Sequence, residues 1–141
     1  RSGDFIVGSF SEMTRSQRQP DLKMASRLRA QVKEEEIALK LLDTTTVSGT
    51  HVRVMYDALH MYAEGYAISQ GIKFIGDAAH HELFEFLRER NILTERGREL
   101  LQRIREKRNA NVYKGAVVSL AFLQEIEPSI PFLFTKLAEA N

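Results

Sequence analysis

From Asp21 onward the apolar residues of this chain return at steps of three and four, with no stretch of strict alternation. Such spacing lines one face of an α-helix and would scatter over both faces of a strand, so it constrains the fold more than any other feature. Leu22, Ala25, Leu28, Val32, Leu39 and Leu42 predict a first helix over Asp21–Asp43, with Pro20 marking the boundary before it. Thr44, Thr45 and Thr46 read as its stop, and Ser48-Gly49-Thr50 as the turn and cap of the next. Val52, Met55, Leu59, Tyr62, Ala63 and Tyr66 predict a second helix over His51–Gln70, with Gly71 as the left-handed residue past its end. Asp77 is the expected cap of a third, Asp77–Arg90, with Ala79, Leu83, Phe86 and Leu87 inward and Asn91 beyond it. Thr94 caps a fourth, Thr94–Asn111, which turns Leu100, Leu101, Ile104 and Val112 inward. A fifth is expected over Ala116–Glu127, broken at Pro128, and a short last one starts with Pro131 in the favoured first helical position. No Asn-Gly or Asp-Gly hairpin and no alternating strand follows Asp21. Short loops between long amphipathic helices favour antiparallel neighbours, so the expected fold is all-α, an antiparallel up-and-down bundle of four to five helices.

With 141 residues the chain has the length of one domain and can bury about 70% of its unfolded surface. Residues 21–141 are read as that domain. Residues 1–20, RSGDFIVGSFSEMTRSQRQP, lack a sustained period and read as a flexible lead-in; Arg1-Ser2-Gly3 has the look of an expression remnant, and Phe5-Ile6-Val7 of a short strand. The absence of cysteine excludes disulfides, thiolate zinc sites and cysteine nucleophiles, and fits a reducing compartment. The longest uncharged stretches, such as Gly115–Gln124, are about half the length that spans a membrane, and no signal-peptide pattern opens the chain. The expectation is a cytoplasmic protein without membrane contact.

Few residues suggest chemistry. The acidic run Glu34-Glu35-Glu36 is read as a solvated face, with Glu36 and Lys40 spaced as an i,i+4 pair. Tyr56, His60 and Glu64 form a polar stripe on the second helix, but a metal there needs a third ligand that the sequence does not nominate. His80 and His81 are consecutive and point about 100° apart on a helix, which disfavours joint ligation of one ion. No metal and no cofactor are therefore expected. The chain also lacks a Gly-rich phosphate loop, a zinc-protease helix and a strand-turn serine elbow.

The fourth helix is different. Between Arg96 and Lys114 seven Lys or Arg face two Glu, a local excess of five positive charges in a chain whose total is +1. Concentrated positive charge attracts phosphate-bearing partners, and Arg grips phosphate through paired hydrogen bonds. Within this segment lies Arg108-Asn109-Ala110-Asn111-Val112-Tyr113-Lys114-Gly115, with Asn109 and Tyr113 at i,i+4. Spacing alone also accommodates a plain polar helix end, with Gly115 as cap and Tyr113 as a partly buried anchor.

From about Val52 to Gly115 the chain resembles the HEPN family, helical domains of nucleotide-binding and RNA-cleaving proteins. The resemblance is carried by Tyr56-Asp57-Ala58-Leu59-His60-Met61-Tyr62-Ala63-Glu64-Gly65-Tyr66-Ala67 with its Gly71-Ile72-Lys73 exit, by His81-Glu82-Leu83-Phe84-Glu85-Phe86-Leu87, and above all by Arg108-Asn109 with Tyr113 and Gly115. In ribonuclease members the signature is an Arg, a polar residue and a His four to six residues after the Arg, two copies of which meet across a homodimer as a metal-independent cleavage site. Arg108 matches the Arg and Asn109 the polar residue, whereas Tyr113 stands where the His is expected. Tyrosine is a far poorer base than imidazole at neutral pH. The resemblance thus implies a dimer that binds RNA or a nucleotide through Arg105, Lys107, Arg108, Asn109, Tyr113 and Lys114, beside a minimal nucleotidyltransferase in a toxin-antitoxin-like pair. Two rival expectations stand: a metal-independent endoribonuclease using Arg108, Asn109 and Tyr113, and a non-catalytic interaction bundle.

Overall fold

The computed structural model describes residues 15–141. Six α-helices and one two-stranded ribbon make up this part: β1 (Arg15–Gln17), α1 (Leu22–Leu41), α2 (Ser48–Ser69), β2 (Ile72–Phe74), α3 (Ala79–Glu89), α4 (Glu95–Lys114), α5 (Leu120–Ile126) and α6 (Ile130–Ala140). A 3₁₀ turn over Glu127–Ser129 joins the last two, and it is there that Pro128 interrupts the helical ladder. The all-α bundle is thereby shown. The proposed strand at Phe5-Ile6-Val7 lies outside the described residues.

Local chemistry explains most boundaries. The Asp21 carboxylate accepts from Met24 N at 2.9 Å, Thr94 Oγ1 accepts from Gly97 N at 3.1 Å, and Ser119 Oγ accepts from Phe122 N at 3.1 Å. Gly71 and Gly115 end α2 and α4 with φ of +76° and +67°. Asn91 adopts a φ of +60° just past α3, a conformation Asn tolerates better than most residues.

Several expectations are corrected. Asp77 does not cap α3; Ala78 holds the cap position without a side-chain bond. Ser48 is the first residue of α2, and the preceding turn is organised by Asp43, whose carboxylate takes Thr45 Oγ1 at 2.8 Å and Thr46 Oγ1 at 2.7 Å. Ala116–Ser119 is outside any helix, and with Ser119 as its cap α5 starts at Leu120. Val112, in the last turn of α4, and Leu22, the first residue of α1, are exposed. Glu36 meets the Tyr62 hydroxyl at 3.3 Å, a partner from α2 that same-helix spacing cannot reveal. A strand does follow Asp21: Ile72–Phe74 pairs antiparallel with Arg15–Gln17, placing the end of the expected lead-in against the end of α2.

The helices are antiparallel in pairs. Asp21 N, at the head of α1, bonds Ile68 O near the end of α2 at 3.1 Å. Along α4, Arg108 reaches Asp57 and Asn111 lies against Gly49, so the end of α4 meets the beginning of α2. Helix α2 is central: Val52, Met55, Tyr56, Ala58, Leu59, Tyr62, Ala63, Gly65 and Ala67 are all buried, which leaves it apolar almost all round. Val32 of α1, Leu83, Phe84, Phe86 and Leu87 of α3, Leu101 and Ile104 of α4, Phe122, Leu123 and Ile126 of α5, and Leu133 and Leu137 of α6 pack with it in the core.

Candidate functional site

Three helices bring polar side chains to one point at the edge of this core. Tyr56 and His60 are one turn apart on α2, and their rings stack with centroids 5.8 Å apart. On α3, buried Phe84 packs edge-on against Tyr56 at 6.4 Å. His80 is four residues before Phe84 and shares its face, so the contact that seats Phe84 also carries His80 onto Tyr56 and onto His60, 4.4 Å between imidazole centroids. On α4, Arg105 and Arg108 follow the buried Leu101 and Ile104 by four residues each, so the inward face of the helix continues as two guanidiniums. Arg108 lies 5.5 Å from the Tyr56 ring centroid.

The electrostatics of this cluster are one-sided. Burial pushes the Tyr56 phenol up, against the opposing pull of Arg105 and Arg108, so it is protonated near neutrality. Burial, then Arg108, Arg105 and Lys73, holds His60 down to about 4. Burial, then His60 and the same two arginines, holds His80 down to about 4, with Glu64 opposing. Both imidazoles are therefore neutral at pH 7. The Tyr56 hydroxyl and His80 Nδ1 are 2.5 Å apart. A protonated, buried phenol needs an acceptor, and the arginines beside its oxygen are only donors; Tyr56 therefore donates to Nδ1, and the His80 proton resides on Nε2.

Charge pairing distinguishes the arginines. Arg98 is committed to Glu85 at 3.0 Å and Glu95 at 2.9 Å, and Arg103 to Glu125 at 3.0 Å. Arg108 is 3.5 Å from Asp57 and donates to Asn109 Oδ1 at 3.0 Å, while its buried Nε has no partner among the described residues. Arg105, half-buried, has no ion pair with an acidic group among the described residues. On the far side of the imidazoles, Lys73 and Glu64 pair at 4.0 Å beside a small recess of about 80 Å³.

Of the sequence candidates, Arg105 and Arg108 enter the cluster and Asn109 orients Arg108. The other three do not join them. Lys107 turns away to lie 5.3 Å from the Phe122 ring of α5. Tyr113, five residues beyond Arg108, lies about 7.5 Å along the axis and about 140° round the helix. It is 72% exposed, which removes the reading of Tyr113 as a partly buried anchor. Lys114 is exposed at the last turn. The sequence reading kept Tyr56, His60 and Glu64 as a polar stripe, solvated or between helices, and weighed His80 only as a metal ligand beside His81, without joining it to that stripe; the available signal was polar residues at core register on three helices. Among the described residues, no three His, Cys, Asp or Glu side chains gather as a metal-ligand set.

No protein-family model matches the chain, and comparisons with curated proteins and with solved structures find no match.

Proposed function

We propose that this protein binds RNA or a nucleotide through the α4 face that carries Arg105 and Arg108, working as a HEPN-like dimer paired with a minimal nucleotidyltransferase. The observation that carries the binding reading is Arg105. A half-buried guanidinium without an acidic partner among the described residues, beside a second guanidinium and two neutral imidazoles, is a place where one more anion is stabilised and no proton must first leave. The test is anisotropy titration of a labelled single-stranded RNA over a range of salt. Arg105→Ala should weaken binding and lower the salt slope by about one, as removal of one phosphate contact requires. Unchanged affinity and slope would leave the plain interaction bundle as the better description.

One observation favours a second reading, metal-independent RNA cleavage. The His that the sequence lacks after Arg108 is replaced in space by two imidazoles from other helices, both within the field of Arg108. Against it, the accessible nitrogen of His80 carries a proton, and an imidazole held near 4 is a weak base at pH 7. Incubation of structured RNA with the protein in chelator separates the two. Binding without cleavage is expected; cleavage lost in His60→Asn and retained in Tyr113→Phe would establish the nuclease reading.

A further inference from the structure

Helix α1 is covered on one side only. It takes its packing almost entirely from α2, and of its 20 residues only Ala25 and Val32 are buried. The side of a surface helix turned away from its core stripe is ordinarily charged. On α1 that side reads Leu22, Ser26, Ala30, Lys33, Ile37 and Leu41, with a single charge, gathered in a sector of about 100°. Nothing among the described residues covers it: Leu22 is 69% exposed, Ile37 61% and Leu41 80%.

Two features match this stripe to itself. Its steps are four, four, three, four and four residues, the same read from either end. Two copies laid antiparallel therefore bring Leu22 opposite Leu41, Ser26 opposite Ile37 and Ala30 opposite Lys33, and a twofold axis repeats each pair. Short side chains at the centre, Ser26 and Ala30, let the helix axes approach to about 8 Å, and the Lys33 stem lies over Ala30 with its charge at the margin. Charge is the second feature. Arg27 and Glu34 flank one margin of the stripe, Arg29 and Glu36 the other, with both cations in the first half of α1 and both anions in the second. An antiparallel twofold pair sets like margin against like margin. Glu34 of each copy then meets Arg27 of the other, and Glu36 meets Arg29, each offset by only about 3 Å along the axis. A parallel pair would set Arg against Arg. Among the described residues Arg27, Arg29 and Glu34 have no ion pair, and Glu36 accepts from Tyr62 through one oxygen only.

We propose that the outer face of α1 is a self-association surface, on which a second copy of this chain docks its own α1 antiparallel. The face is turned away from α2 and uses none of the α4 cations, so it does not rest on the binding reading above. Where the chain is already a dimer, this contact joins dimers. Two helices touching along about 30 Å bury less than the roughly 1,600 Å² of a standard interface, so association at hundreds of micromolar is expected.

Sedimentation equilibrium of the full chain, from about 10 to about 500 μM, tests the contact. The average mass should rise with concentration towards twice its value at the low end. That value, monomer or dimer, is the baseline, so failure of the dimer reading leaves this test intact. Ile37→Glu with Leu41→Glu changes two exposed residues and should abolish the rise, with an unchanged melting temperature as the control for folding. Glu34→Arg sets Arg against Arg27 at two sites and should weaken association about tenfold. Adding Arg27→Glu to the same chain should restore it, which no contact of another register would do. A flat mass would leave the face to some other occupant and overturn the proposal. So would a rise that Ile37→Glu with Leu41→Glu leaves unchanged, or a loss in Glu34→Arg that Arg27→Glu fails to repair.

Discussion

The cluster at the edge of the core ties stability to pH through two histidines. His60 and His80 titrate near 4 in the folded chain and near 6.5 when unfolded, so below about 6.5 the unfolded state binds protons that the native state refuses. Their contribution to stability is complete above 6.5 and is lost as the pH falls from there towards 4. The melting temperature should therefore decline from pH 7 to pH 5, and His60→Gln with His80→Gln should flatten the decline; an unchanged slope would refute the assignment. Tyr56 makes a second prediction at the same scale. Its hydroxyl is satisfied by His80, so Tyr56→Phe leaves a semi-buried nitrogen unpaired and should cost about 1–3 kcal/mol in urea unfolding. Tyr113→Phe should change stability by less than about 0.5 kcal/mol, because Tyr113 is exposed.

Among the elements, the short ribbon between α2 and α3 is the one that helical spacing could not announce. Three residues per strand are too few for an alternating pattern to stand out, and the partner strand is more than fifty residues away in sequence. Gly71 fixes the junction. It has a φ of +76°, its carbonyl accepts from Arg18 N, and a Cβ there would meet Arg18 O at a distance no real contact shows. Gly115 has a similar φ of +67° with open space around it. Gly115→Ala should therefore cost only the left-handed penalty, about 1–2 kcal/mol, whereas Gly71→Ala should cost more, because the ribbon must separate as well. Chemical denaturation of the two variants side by side checks the order, and equal costs would show that the ribbon adds nothing to the junction.

For the whole molecule, the open question is how the end of α4 is used. Val112, Tyr113, Val117 and Leu120 are exposed in succession, from 39% at Leu120 to 89% at Val117, directly after the basic stretch. The proposed dimer would cover them and bring Tyr113 of one chain towards Arg108 of the other, which one chain alone cannot do. Light scattering at tens of micromolar should give twice the mass of the monomer, and Val117→Glu should lower it; a monomer under these conditions would refute the dimer. The helical architecture itself was legible from the chain, because the step of three and four is a local property that survives whatever the helices pack against. So were the cap at Thr94 and the stops at Gly71 and Gly115, each a bond or torsion within a few residues. The sequence also pointed to Arg105 and Arg108 by charge, yet it grouped them with Lys107, Tyr113 and Lys114, which lie on other faces or at the far end of the same helix. Which of the cations would be neutralised depended on Glu85, Glu125 and Asp57, and which would meet an aromatic floor depended on Phe84 seating His80 against Tyr56. Those partners are set by how α2, α3 and α4 pack, and no spacing within one helix contains that information.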